Sequence, residues 1–288
     1  MMTLPQTMKE KVVLITGATR GIGFETARAL AGMGATVVMV GRDAQRTAEQ
    51  AAQIKTETGN PQVDTLVADL SSLAQTRRLA QDFLKRYDRL HVLINNAGAV
   101  FMQRQESVDG YEMTFALNHL SPFLLTHLLL DVMRASAPGR IINVSSSAHR
   151  MSRMRFDDLQ FKRGYSGWQA YSQSKLGNIF FTTGLDAHMN GDGITTNALH
   201  PGFVATNFGK NNGIFKPFFA ISQLMAISPQ EGAQTSIFLA ASPEVEGVSG
   251  KYFEKCRAVA PSHTATDINA ARRLWDISLE MTGLAQPA

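Results

Sequence analysis

The sequence predicts an α/β fold, a doubly wound parallel sheet with helices on both faces. Three observations point there. Short apolar, β-branched runs alternate with longer stretches of helical periodicity along the 288 residues. The runs are apolar throughout rather than at every second residue, as in strands buried on both faces. No internal repeat, low-complexity tract or Pro/Gly-rich linker divides the chain, so right-handed crossovers build one continuous sheet.

The elements follow in order. KVVLIT (11–16) reads as the first strand and 21–33 as a helix with Phe24, Ala27 and Leu30 along one side. ATVVMV (35–40) is the second strand, 43–58 a helix, 62–70 the third strand and 72–87 the next helix. LHVLIN (90–95) is the fourth strand, and 111–135 carries one or two helices adjusted at Pro122. GRIINVS (139–145) is the fifth strand, 168–190 a long helix and ITTNALH (194–200) the sixth strand. A helix at 229–241, a short strand near 250–253 and a terminal helix at 266–282 complete the pattern. Two long stretches, 147–167 and 203–227, interrupt the alternation just after strands, on the side where such sheets bind ligands. The expected organisation is one domain over 11–283, an extension at 1–10 and a tail at 284–288.

Composition narrows the function classes. The chain is 44% hydrophobic and 18% charged, which argues against disorder. Its formal net charge of +4 comes without a run of like charges, so no nucleic-acid partner is expected. Cys256 is the only cysteine, which excludes an internal disulfide and fits a reducing, cytoplasmic setting. The first residues lack the apolar core of a signal peptide. No uninterrupted apolar run approaches the ~20 residues of a membrane span, so no transmembrane segment is expected. The seven histidines form no HxxxH or Cys/His cluster, and no metal site is expected.

The first strand runs into Gly17-Ala18-Thr19-Arg20-Gly21-Ile22-Gly23. Glycines at such a turn let the backbone approach a pyrophosphate, and the following helix aims its N-terminal N–H groups and positive dipole end at that anion. The spacing is GxxxGxG rather than GxGxxG, and the Lys-Ser/Thr ending of a nucleoside-triphosphate loop is absent. The second strand ends at Val40-Gly41-Arg42, where an NAD site carries an acidic residue for the adenosine ribose. Arg42 and Arg20 instead offer two guanidiniums to a 2′-phosphate, which favours NADP(H). Asp43 reads as the cap of the next helix.

Tyr171 and Lys175 are four apart, on one face of a helix. A nearby ammonium favours phenolate, and so makes a tyrosine a better acid–base. That spacing is common by chance, and the ordered set around it is specific. Asn95-Asn96-Ala97-Gly98 follows the fourth strand, and Asn118 lies in the helix beyond. Asn143-Val144-Ser145-Ser146-Ser147 ends the fifth strand, and His200-Pro201-Gly202 ends the sixth.

With these motifs the chain resembles the short-chain dehydrogenase/reductase family from about Lys11 to Gly283. Ala116-Leu117-Asn118-His119-Leu120, Ser146-Ser147-Ala148-His149, Tyr252-Phe253, Ser174-Lys175-Leu176 and Ala271-Arg272-Arg273-Leu274-Trp275 resemble its retinol-dehydrogenase-like branch. The resemblance implies a single-domain Rossmann fold and an NADP(H)-dependent oxidoreductase. It implies that Tyr171 exchanges a proton with the substrate oxygen, and that Lys175 lowers the tyrosine pKa and contacts the nicotinamide ribose. It implies that Asn118 helps hold a water on the proton path and that Ser146 orients the substrate oxygen. Ser145 and Ser147 stay open for that last role. Asp69 and Leu70 would lie beside the adenine, and Asn96, Ala97 and Gly98 would line the groove, with Asn95 as a further lining or sheet-stabilising residue. Val144, Pro201, Gly202, Val204 and Thr206 would approach the nicotinamide.

The stretch 203–227 holds Phe208, Ile214, Phe215, Phe218, Phe219, Leu224 and Met225, and reads as a lid over an apolar substrate. The expected reaction interconverts a hydrophobic aldehyde or ketone and its alcohol. Alcohol dehydrogenation on retinoid- or steroid-like molecules is the alternative, and a non-catalytic NADP(H)-binding sensor is the alternative of another class. The resemblance also suggests subunit pairing through helices 111–135 and 168–190 in a homo-oligomer, with a monomer as the alternative, since the same helices bury faces inside the domain.

Overall fold

A computed structural model of the chain describes residues 7–189, 191–203 and 227–284. The strands are β1 (Val12–Thr16), β2 (Thr36–Gly41), β3 (Val63–Val67), β4 (Val92–Asn95), β5 (Gly139–Val144), β6 (Ile194–His200), β7 (Tyr252–Glu254) and β8 (Arg257–Val259). The helices are α1 (Gly21–Gly32), α2 (Ala44–Thr58), α3 (Leu73–Leu84), α4 (Met113–Phe115), α5 (Ser121–Ala135), α6 (Gly167–His188), α7 (Pro229–Ala241) and α8 (Ile268–Thr282). All eight strands join one sheet in the order β3-β2-β1-β4-β5-β6-β7-β8. Every pairing is parallel except that of β7 with β8.

Alternation along the strands fills both faces. Val13 and Ile15 of β1 join Val37 and Met39 of β2 under Phe24, Ala27 and Leu30 of α1 and Leu239 of α7. Leu14, Val38 and Val40 point the other way, under Phe83 of α3, Phe123 and Leu129 of α5, Phe181 of α6 and Trp275 of α8. Each large apolar side chain buried this way stabilises the fold by about 1.5–3 kcal/mol. The doubly wound Rossmann-like architecture follows from strands that are apolar on both sides.

The strand order reverses between β1 and β4, the switch point at which such sheets bind ligands. Thr16, Asn95, Val144 and His200 end four neighbouring strands there. The antiparallel β8 was not expected. Its turn is Lys255-Cys256, with φ of +49° and +61° at residues that are neither Gly nor Asn, so the usual hairpin signature is missing.

One expectation about partners is corrected here. Met113–Ala135 forms 23 helical residues with a window of mean hydropathy 1.2, long and apolar enough by length and composition to cross a membrane. The adjustment expected at Pro122 takes the form of a π-helical turn at Ala116–Leu120 that runs directly into α5. The wider turn stands just before Pro122, which has no N–H to give to the helical ladder. In this fold 67% of that window is buried, with Phe123, Leu124 and Leu125 in the core. α5 and α6 pack on each other within the chain, Phe123 on Phe181 at 5.2 Å between ring centroids. Trp275 of α8 fills their shared face, against Phe123 at 5.1 Å and Phe181 at 6.1 Å between ring centroids.

Candidate active site

The glycine turn after β1 has the geometry that the sequence requires of it. Gly17 and Gly21 hold φ of +65° and +56°, where residues with a Cβ are strained. A Cβ on Gly23 would overlap the Gly17 carbonyl and the Asn96 amide. The Asn96 amide donates to the carbonyl oxygens of Thr16 at 2.8 Å and Gly17 at 3.1 Å. The backbone N–H groups of Asn96 and Ala97 both donate to Thr16 Oγ1 at 3.0 Å. Asn96 therefore braces the turn from the end of β4. Ile22 and Thr19 lie in the same turn, and no acidic residue stands in the first turn of α1 to compete with a bound anion. This backbone cradle fits a pyrophosphate.

At the end of β2, a Cβ on Gly41 would overlap Thr47 Oγ1 and Thr19 Cγ2. An acidic side chain has no room there. Arg20 and Arg42 are exposed, and their guanidinium groups make no hydrogen bond or ion pair among the described residues. Asp43 caps α2 by accepting the Arg46 N–H at 2.9 Å. The Asp69 carboxylate accepts the Ser71 N–H and hydroxyl at 3.0 and 2.7 Å, which fixes the turn beside buried Leu70. Asn95 donates to Thr126 Oγ1 at 3.0 Å and Asn143 Oδ1 at 2.9 Å, and Asn143 donates to Thr182 at 3.0 Å. This buried ladder ties β4 and β5 to α5 and α6, so Asn95 serves the sheet.

Tyr171 and Lys175 lie on one face of α6, with Lys175 Nζ 5.6 Å from the centroid of the Tyr171 ring. Nζ donates to the Val144 carbonyl at 2.8 Å, which fastens the ammonium to the end of β5. It also stands close to Gly98, where a Cβ would lie 3.3 Å from it. The three serines after β5 separate cleanly. Ser145 is buried and donates to the Lys175 carbonyl at 2.7 Å. Ser147 is exposed. Ser146 is the serine whose side chain hydrogen-bonds Tyr171.

Asn118 sits in the π-helical turn, fully buried. Its amide accepts the Ala99 N–H at 2.9 Å and donates to the Ala99 carbonyl at 2.9 Å and to Ser174 Oγ at 3.0 Å. Ser174 in turn donates to the Tyr171 carbonyl at 2.7 Å. Asn118 thus clamps the loop after β4 onto α6. Ser174 is a site residue that the sequence reading missed, although it stands inside Tyr171–Lys175. Gln173 was missed as well. It accepts the Arg155 N–H at 2.9 Å and donates to the Leu159 carbonyl at 3.1 Å, which holds the extended 147–167 stretch against α6.

Burial dominates the electrostatics. It pushes the Tyr171 hydroxyl up to about 12, against a smaller lowering by its hydrogen bond to Ser146. Burial pulls Lys175 down to about 8. Lowering of the tyrosine by the lysine was the expectation; burial raises it instead, and the opposing influence is the hydrogen bond to Ser146. The pair rests as a neutral phenol beside an ammonium at neutral pH.

At the end of β6, Pro201 and Gly202 are half-buried and Gly202 takes φ of +90°. The Ile227 N–H donates to the Phe203 carbonyl at 2.8 Å, so the chain leaves and returns at one point. Val204, Thr206 and nearly all of the expected lid lie outside the described residues. Three large apolar side chains on the segments that follow β5 and β6 and at the start of α6 are exposed. Trp168 is 42% exposed with its ring edge-on to Tyr171 at 6.2 Å, and Met151 and Phe203 are 75% and 56% exposed.

A family model for short chain dehydrogenases matches residues 11–214. The chain belongs to that family. As a short chain dehydrogenase it is an oxidoreductase that works with a nicotinamide dinucleotide, and it is retinol-dehydrogenase-like. It is 44% identical to human Retinol dehydrogenase 14, over 97% of this chain and 88% of that one. A crystal structure of a Mycobacterium paratuberculosis protein superimposes with a TM-score of 0.81 at 32% identity, covering 99% and 97% of the two chains. The RhlG/NADP active-site complex of Pseudomonas aeruginosa gives a TM-score of 0.71 at 28% identity, covering 87% and 96%.

Proposed function

We propose that this short chain dehydrogenase interconverts an apolar aldehyde or ketone and its alcohol, using NADP(H), with Tyr171 as the general acid or base. The convergence of Ser146, Tyr171 and Lys175 at the end of the strand-order switch carries the reading. When bound, the dinucleotide supplies or accepts a hydride. The protein handles the proton. Tyr171 gives its hydroxyl proton to the substrate oxygen in reduction and takes it back in oxidation. Ser146 holds the same oxygen by a hydrogen bond. Lys175, fixed by the Val144 carbonyl, favours the phenolate that is left. Asn118 keeps the loop carrying Gly98 and Ala99 against α6.

NADP(H) is favoured by the exposed guanidiniums of Arg20 and Arg42 and by the steric exclusion of an acidic side chain at Gly41. The NADP in the RhlG complex of similar fold agrees with this choice. At neutral pH Tyr171, pushed up to about 12, is in the protonated state from which reduction starts. An apolar substrate suits the exposed Trp168, Met151 and Phe203. A second reading, oxidation of retinoid-type alcohols, is favoured by the resemblance to the human retinol dehydrogenases at 42–44% identity.

The test is an NADPH-oxidation screen over aldehydes and ketones of graded size, with retinoid alcohols plus NADP⁺ as a second arm and NADH as control. Turnover that rises with apolar size supports the reading. Tight NADPH binding with no turnover on either arm contradicts it and points to a cofactor-binding sensor.

A further inference from the structure

Ser146 has a second partner that the reaction itself does not call for. The ring of His149 is fully buried, its Nδ1 lies 2.7 Å from the Ser146 carbonyl oxygen, and its backbone N–H donates to the same oxygen at 3.1 Å. Its Nε2 lies 3.0 Å from the backbone N of Ser262, 113 residues away, on the segment that leads into α8. A backbone N–H only donates, so Nε2 is the acceptor. A neutral ring then carries its proton on Nδ1 and donates it to Ser146. The Tyr252 ring closes the pocket at 4.9 Å, edge to face.

We propose that His149, as the neutral Nδ1–H tautomer, is a positioning residue that fixes the peptide of Ser146 and so aims its hydroxyl at Tyr171. The proposal rests on the reading of Ser146 given above. The Ser146 hydroxyl already accepts the Ala148 N–H at 3.2 Å, so the serine is held at both its carbonyl and its side chain. A protonated ring would turn an N–H toward the Ser262 N–H, donor against donor, and release the brace. The charged and titratable groups around it are Arg150 on its own turn, Glu254 and Tyr252 of β7, and His200 of β6. Burial and Arg150 disfavour the imidazolium, while the Ser146 carbonyl and Glu254 favour it. The balance holds His149 below the ordinary histidine value of 6.5.

The test uses the full chain, NADPH, an aldehyde that gives turnover, and long-range ¹H–¹⁵N NMR of the histidine ring. The NMR at pH 7 should show the Nδ1–H tautomer at His149, and an Nε2–H tautomer or an imidazolium overturns the proposal whether or not the protein turns over a carbonyl. His149→Leu should lower kcat about 10- to 100-fold, the scale of a slightly misplaced catalytic group, with NADPH affinity unchanged. A folded His149→Leu protein with wild-type kcat overturns it. His149→Gln retains a donor and an acceptor without a titration. It should keep kcat within about threefold of wild type, the scale of one imperfect hydrogen bond. Wild type should show an acid limb below the ordinary histidine range, and His149→Gln should lose it. An acid limb that persists in His149→Gln contradicts the brace. Absence of turnover in the wild-type protein sinks the proposed reaction and leaves the tautomer to decide the brace.

Discussion

Lys175 donates its ammonium to the carbonyl oxygen of Val144 at 2.8 Å. One buried charge thereby joins the end of β5 to the middle of α6 and lies 5.6 Å from the centre of the Tyr171 ring. The end of the strand that leads to Ser146 and the helix that carries Tyr171 are joined by the group that also stands over the phenol ring.

This arrangement predicts a pH dependence. Burial disfavours the charged form of lysine, so its pKa falls, to about 8, and its proton is lost as pH rises through that value. Tyr171, up at about 12, remains a neutral acid throughout. The kcat/KM for carbonyl reduction reports the free enzyme. It should fall on a basic limb near pH 8, and Lys175→Arg, always charged, should move that limb upward while lowering the absolute rate. An unchanged basic limb in Lys175→Arg would assign it to another group.

The adenosine end predicts cofactor choice. The guanidiniums of Arg20 and Arg42 are exposed and have no hydrogen-bond or ion-pair partner among the described residues, and each charge-assisted hydrogen bond to a phosphate contributes about 1.5–3 kcal/mol. Arg42→Ala and Arg20→Ala should each weaken NADPH binding by roughly 10-fold or more, with NADH binding nearly unchanged. Titration of both cofactors against both variants checks this. An unaltered ratio of the two affinities removes the arginines from the account.

The C-terminal helix predicts a stability effect separable from catalysis. Trp275 is buried, stacks on His188 at 4.1 Å between centroids, and approaches Gly184 so closely that a Cβ there would lie 3.0 Å from its ring. Trp275→Ala should cost about 3–5 kcal/mol through the cavity it leaves. Thermal unfolding should then drop by roughly 10 °C, with NADPH affinity preserved. A change of Tm too small to resolve would show that α8 contributes little to the fold.

Much of this was legible in the sequence. Continuous apolar runs such as Val12–Thr16 define parallel strands, and the glycine turn, Gly41 and the Tyr171–Lys175 spacing each depend on neighbours along one element. What escaped depends on tertiary contact. The choice among Ser145, Ser146 and Ser147 turns on which hydroxyl meets the Tyr171 side chain rather than the α6 backbone. The π-helical turn that carries Asn118 has no signature in its residue types. The direction of the Tyr171 shift follows from burial by distant segments, and the His149–Ser262 contact spans 113 residues. β8 was missed because Lys255 and Cys256 adopt a turn that glycine and asparagine favour.

The most direct measurement compares Tyr171→Phe with wild type in NADPH oxidation by an apolar aldehyde, with cofactor binding followed in parallel. The substitution removes one oxygen and leaves the ring beside Lys175 and Trp168. The account predicts that NADPH binds as before while turnover falls by about 10²–10⁴-fold, the usual contribution of a positioned proton donor. Turnover retained at the wild-type level would contradict the assignment of Tyr171 as the acid and base of this site.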